Sequence, residues 1–161
     1  MIAVIRRAIP ADVAAIQTLC REHAEYERST ARMEDLLLLG EAMFGAVATL
    51  DAWVVVHESK VVGFASAFPC FSTWTAAYYY HLDCLFLQAG ARGHGIGRRL
   101  MKSIAAHAMA QGHSRMEWQT PAWNGAAIRF YESLGATCAE KKRFVLDSVR
   151  QGTTSTDPRA A

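Results

Sequence analysis

The stretch Gln88-Ala89-Gly90-Ala91-Arg92-Gly93-His94-Gly95-Ile96-Gly97-Arg98-Arg99 decides how the rest of the chain is read. It follows an aromatic-rich apolar run, residues 78–87, and precedes a segment where Leu100, Ile104, Ala105, Ala108 and Met109 recur at helical spacing. It is therefore a strand-to-helix turn. Glycines there let the backbone take positive φ and approach a ligand with no Cβ in the way, so successive N–H groups converge on one anion. The helix that opens here adds unpaired amides and its positive dipole end, while Arg92, Arg98 and Arg99 add mobile charge. A pyrophosphate suits this combination; the plainer alternative is a glycine-rich turn with solvated basic residues. A Walker loop fails, because Gly97 is followed by Arg98-Arg99 and not by lysine and a hydroxyl. A dinucleotide fingerprint fits poorly: Gly-x-Gly-x-Gly stands in place of Gly-x-Gly-x-x-Gly, and it follows four expected strands.

Upstream, residues 2–7 alternate as a first strand, and Pro10 opens a helix over 10–27 with Val13, Ile16, Leu19, Cys20, His23 and Ala24 on its buried stripe. Ser29-Thr30 offers a cap for a second helix or helix pair over 31–44, broken near Gly40 and Gly45. Residues 53–57 and 61–67 form a hairpin about Glu58-Ser59-Lys60, and 78–87 is a fourth strand with apolar residues on both faces. Downstream, the long helix stops before Gly112, 115–119 is a short strand, 125–134 a helix stopped by Gly135, and 141–146 a closing strand. The expected architecture is one α/β domain, residues 1–147, with helices on both faces of a mixed, mostly antiparallel central sheet. Residues 148–161 are polar, small and aperiodic, as in a mobile tail.

With 161 residues, 52% hydrophobic and 20% charged, the chain has the material for one packed core. A net charge of +2 gives no reason to expect nucleic acid or a membrane as partner, and no apolar stretch is long enough to span a bilayer. No targeting signal is visible, and the four unpaired cysteines suit reduced thiols, so a cytoplasmic protein is expected. The six histidines and the cysteines show no ligand spacing, and no metal is expected.

Arg92-Gly93-His94-Gly95-Ile96-Gly97 after an aromatic-rich strand resembles motif A of the GNAT N-acetyltransferases. Trp123-Asn124, Ile128-Arg129-Phe130-Tyr131 and Leu134-Gly135-Ala136 follow in the order of the second part of that signature. Glu25-Tyr26-Glu27, Val62-Gly63-Phe64-Ala65, Phe71-Ser72-Thr73-Trp74 and Leu82-Asp83-Cys84-Leu85-Phe86-Leu87 are similar to the diamine branch, which includes spermidine/spermine and thialysine acetyltransferases. That branch usually carries Glu-Asp where this chain has Asp83-Cys84; one carboxylate is shortened and one removed, which puts a polycationic substrate in question.

The resemblance implies a GNAT fold, acetyl-CoA as co-substrate, a homodimer, and direct attack of a small-molecule primary amine on the thioester. An acetyltransferase of protein amino groups or aminoglycosides, or a non-catalytic acyl-CoA-binding module, are the alternatives. It implies cofactor contacts at Arg92, Gly93, His94, Gly95, Ile96, Gly97, Arg98 and Asn124. Main-chain groups of Leu85, Phe86 and Leu87 would join them where the fourth and fifth strands splay. Tyr131 is the expected general acid for the coenzyme's sulfur, and Asp83 the group that orients the amine and passes its proton through water. Glu27, Tyr26, Trp74 and Tyr80, with Glu25 beside them, are expected to wall the amine pocket through charge and cation–π contacts.

Overall fold

The computed structural model describes residues 1–29, 36 and 38–145. Its central hairpin joins β2 (Asp51–His57) to β3 (Lys60–Ser72) through Glu58 and Ser59, whose φ values of 47° and 63° give the two-residue turn that matches strand twist. β1 (Val4–Arg7) pairs antiparallel with β2, and β4 (Ala77–Leu87) antiparallel with β3. β5 (Met116–Glu117) runs parallel to β4, so the order is β1-β2-β3-β4-β5. The mixed, mostly antiparallel sheet agrees with the reading of the sequence.

Each face of the sheet carries its own helices. On one side α1 (Val13–Tyr26) buries Ile16 and Leu19 with Val54, Phe64 and Phe86, and α2 (Leu39–Phe44) adds Met43. On the other, α3 (Ile96–Ala110) buries Leu100, Ile104 and Ala108 against Trp53, Val55, Ala65, Leu82 and Leu87. Strict alternation in β2 feeds both layers, and each fully buried large apolar side chain contributes about 1.5–3 kcal/mol. α4 (Gly125–Glu132) packs Phe130 and Tyr131 along the edge of the α3 layer.

Pro10 begins a 3-10 turn, Pro10–Asp12, and not α1 itself. The Asp12 carboxylate there accepts from both guanidinium nitrogens of Arg6 (2.6 and 2.9 Å) and from the Ile9 N–H (2.8 Å), which ties β1 to the start of α1. Those bonds, Arg6 foremost, hold the Asp12 carboxyl below the usual carboxylate range.

Several boundaries differ from expectation. β3 runs past Pro69 to Ser72; its pairing with β2 ends at Ala67, so Pro69 falls where one edge of the strand is free and a missing N–H costs little. Gly40 lies inside α2 against Val13, and the break comes at Gly45. The capping Thr30, most of the expected 31–44 helix and the 148–161 tail lie outside the described residues. The closing strand is corrected: residues 141–145 pair with nothing as a strand, and Phe144 is 90% exposed.

Candidate active site

Two interruptions of the sheet open one cavity. The first is a bulge: Ser66 pairs with Cys84 and Ala67 with Leu82, so Asp83 has no partner across β3. An extra residue re-aims the side chains beyond it. Tyr80 and Leu82 pack into the α3 layer, and past Asp83 it is Leu85 and Leu87 that do so, so the phase of β4 shifts by one. Asp83 and Cys84 are thereby both turned to the cavity. The second interruption is at β5, whose pairing with β4 stops at His81–Glu117. Beyond it β4 continues to Leu87 with a main-chain edge that no strand among the described residues pairs, faced across the cavity by Trp118, Gln119 and Pro121. The cavity has a volume of about 1120 Å³, above the range of about 300–1,000 Å³ for a single small ligand, so a cofactor and a second substrate fit together.

The glycine loop forms one end. Gly93 and Gly95 have φ of 79° and 70°, and a Cβ on either would meet no protein atom within 4 Å. Among the described residues, no backbone or side-chain acceptor takes a hydrogen bond from the amides of residues 93–98. A run of unpaired N–H groups at the head of α3, beside open space, fits a diphosphate. Gly97 serves packing: its Cβ would lie 3.1 Å from the Phe130 ring, so the missing side chain lets α4 approach α3.

The arginines are placed differently from the sequence expectation. Arg92 donates through Nε to the Leu87 carbonyl (2.8 Å), and its guanidinium lies over the rings of Tyr26 (4.6 Å) and Phe86 (5.5 Å). Arg98 donates to the carbonyl and hydroxyl of Ser133 (3.0 and 3.1 Å), and Arg99 to the Ala3 carbonyl (2.9 Å). These guanidinium groups are engaged with protein atoms, while the loop amides have no protein acceptor among the described residues.

At the other end, Asp83 Oδ2 accepts from the buried Ser66 hydroxyl (3.4 Å) and lies 3.6 Å from the Cys84 thiol. Burial, reinforced by Asp83, pushes the Cys20 thiol up to about 11 and Cys84 higher still, so both stay protonated. Tyr131 borders the cavity, and its hydroxyl makes no hydrogen bond to a described residue. Burial, then the field of Glu27 and of Cys84, raises its phenol to about 12. Asn124 is buried and caps α4, its Oδ1 accepting from the Ala127 N–H (3.2 Å) and lying 3.5 Å from the Tyr26 hydroxyl.

The cavity therefore gathers Tyr26, Glu27, Asp83, Leu85, Phe86, Leu87, Arg92, Gly93, Gly95, Ile96, Gly97, Arg98, Asn124 and Tyr131. His94 stands exposed beside it and Glu25 faces away from it. Two expected amine-pocket walls are corrected. Trp74 is 96% exposed in the turn between β3 and β4. Tyr80 is 1% exposed on the α3 side, with its hydroxyl on Asp51 and its ring stacked on His113, because its neighbour His81 takes the cavity face. The sequence reading missed Cys20, His23, His81, Lys141 and Arg143 as cavity residues. For Cys20 and His23 the signal was present but ambiguous, since a core stripe and a cavity wall have the same helical spacing.

Comparison with known proteins supplies the remaining link. Residues 13–136 match the family model described as the acetyltransferase (GNAT) family. The chain is 30% identical over 141 residues to a thialysine N-epsilon-acetyltransferase of Mus musculus, covering 82% of each. It is 34% identical over 89 residues to an L-ornithine N5-acetyltransferase of Arabidopsis thaliana, covering 55% of this chain and 39% of that one. An integron cassette protein from the mobile metagenome of V. cholerae superposes with a TM-score of 0.72 at 27% identity, over 91% of this chain and 94% of that one. Sheet order, cradle and sequence relatives thus converge, and the chain belongs to the GNAT acetyltransferase family, as an acetyl-CoA-dependent N-acetyltransferase.

Proposed function

We propose that the chain acetylates a primary amine of a small molecule, a diamine, polyamine or amino-acid-like amine, by direct attack in a ternary complex. The observation that carries this reading is the bulge that turns Asp83 into the cavity bordered by the unpaired loop amides and the Tyr131 hydroxyl. Bound acetyl-CoA supplies a thioester carbonyl as electrophile. The amides of 93–98 hold its diphosphate, the free edge at Leu85, Phe86 and Leu87 takes the amides of its arm, and Asn124 borders that side.

An alkyl ammonium ordinarily titrates near 10.4 and attacks only as the free amine. Asp83 draws the ammonium in, orients it, and gives its proton a route through water. Tyr131, protonated throughout the neutral range, donates a hydrogen bond or its proton from Oη to the departing sulfur. Lys141 and Arg143 border the same cavity as Asp83 and Glu27, a mixture of signs that favours an acceptor bearing a carboxylate as well as an ammonium. The activities named for the thialysine and ornithine relatives support the same class.

A panel of lysine, ornithine, thialysine, putrescine, spermidine, an aminoglycoside and a peptide, scored by thiol release, tests this reading. Fastest release is expected with the amino-acid diamines. Release with the aminoglycoside or peptide alone would replace the acceptor class, and coenzyme A binding with no release from any amine would make the chain a binding module. The expected homodimer is checked by sedimentation.

A further inference from the structure

We propose that His23, held by Glu27, is the group that takes the proton from the bound acceptor ammonium, leaving Asp83 to bind and orient it. The inference rests on the acetyltransferase reading above. His23 and Glu27 stand four residues apart on α1, one turn along the same face, with Nε2 3.3 Å from Oε1. The His23 side chain is 14% exposed and borders the cavity. Its ring stacks on Phe86 (centroids 5.2 Å, planes 26° apart) and meets Phe64 edge-on at 6.4 Å, so β3 and β4 set its plane. The Glu27 carboxylate lies within ion-pair distance of Nε2, so it can stabilise the charge the ring takes on with a proton. The structure thus holds an imidazole paired with a carboxylate inside the acceptor cavity, and the mechanism above gives it no task.

Chemistry favours this group over Asp83 as the acceptor. An ordinary carboxylate titrates near 3.9 and an imidazole near 6.5, so the imidazole is the stronger base and the one matched to neutral pH. Position favours it over the cavity's other imidazole. His81 has ring neighbours, Phe68 at 5.2 Å and Tyr79 at 6.4 Å, and no carboxylate partner among the described residues. Glu27 also acts on the Tyr131 phenol, which places the His23–Glu27 pair beside the residue assigned to the leaving sulfur.

The charged groups that share the cavity with His23 come from every wall. Asp83 of β4 and Glu27 favour the imidazolium, while Arg92 of the loop and Lys141 and Arg143 beyond α4 oppose it. The thiols of Cys20 and Cys84 are protonated and contribute no charge. The balance of protons is simple. In becoming an amide, the ammonium nitrogen gives up two: the first goes to the His23 imidazole and then to solvent, and the second ends on the coenzyme's sulfur as the carbon–nitrogen bond forms and the carbon–sulfur bond breaks.

Two measurements on the full chain test this: the pH profile of turnover with saturating acetyl-CoA and lysine, and the NMR titration of the His23 ring with coenzyme A bound. We expect an acidic limb whose midpoint coincides with that of the ring. In His23→Gln the limb disappears and kcat at neutral pH falls by about 100-fold, while amine KM and coenzyme A affinity by calorimetry stay at wild-type values. In Glu27→Gln the limb and the ring titration stay coincident. A limb retained in His23→Gln overturns the inference, as does its loss in His81→Gln or Asp83→Asn instead. So does a ring titration that misses the limb, a comparison made on wild-type protein that needs no variant to fold. An active wild type with an unaltered His23→Gln profile removes this inference alone; a wild type that releases no thiol with any amine removes the functional reading as well.

Discussion

Replacing Gly95 with valine perturbs the cradle with the least disturbance elsewhere. Gly95 has φ 70° and ψ 3°, and its side-chain position faces open space. A branched side chain there carries about 1–2 kcal/mol of left-handed strain, which the loop relieves by rotating its amides out of convergence. Even an unrelaxed valine fills the space beside those amides. A hydrogen bond from an amide to a charged acceptor contributes about 1.5–3 kcal/mol. Losing two at the low end amounts to about 3 kcal/mol, or a weakening of coenzyme A binding by about 100-fold. Gly90→Ala is the matched control, since Gly90 also faces open space but lies outside the positive-φ region. It should bind as wild type does. Calorimetry with coenzyme A on both variants, each checked by thermal melting, decides the matter. Wild-type affinity in Gly95→Val would show that the diphosphate is held elsewhere and would refute the cradle.

Three further outcomes are expected. Tyr131→Phe should lower turnover by about 10- to 100-fold while coenzyme A affinity stays within about twofold, because the lost hydroxyl serves the sulfur only as it leaves; equal turnover would reject its acid role. Asp83→Asn should cost most at neutral pH and progressively less toward pH 10, where solvent supplies free amine that needs no carboxylate to hold it. A rate ratio that stays flat across pH would count against an ammonium-binding Asp83. Asp12→Ala should lower unfolding stability at pH 7 by about 2 kcal/mol, with the deficit read from denaturant melts. Arg6 depresses the folded carboxyl, so the wild-type advantage is fully present above the unfolded value near 3.9 and fades as pH falls through the lower folded value. A deficit that persists undiminished at pH 2 would show that the loss comes from packing and not from charge.

The glycine loop was legible because three glycines and a following helix admit few local geometries, and the order of elements follows from changes of hydrophobic period. Position along the chain was enough to bring Tyr131, Asn124 and Asp83 to one cavity. The site was not legible where a strand changes phase. A bulge adds no letter that marks it, and Tyr80 was expected at the amine as an aromatic although its place on the strand turns it to the α3 layer. Nor does sequence tell where a long side chain ends. Arg92 reads as phosphate charge but lies across Tyr26, and Arg99 reaches back to β1. The closing strand failed for another reason: β-propensity describes how well residues fit a pleated surface and forms no ladder by itself, and residues 141–145 enter none among the described residues.

The three irregularities that build the site are of one kind. A bulge removes Asp83 from the ladder, a two-residue β5 leaves the end of β4 open, and the head of α3 keeps its amides unpaired. Each leaves main-chain hydrogen-bonding capacity unused, and each faces the same cavity. Unpaired polar backbone is costly when buried, so such groups persist where solvent or a ligand reaches them. On the opposite face, Leu100, Ile104 and Ala108 close the core without interruption. The core clusters on the two faces supply stability, and the cavity between the ends of β4, α3 and α4 keeps open the backbone that a pantetheine arm and a diphosphate would complete. A chain built this way gains its missing hydrogen bonds on binding coenzyme A, which is why affinity should depend far more on the main-chain geometry at Gly95 than on any one arginine beside it.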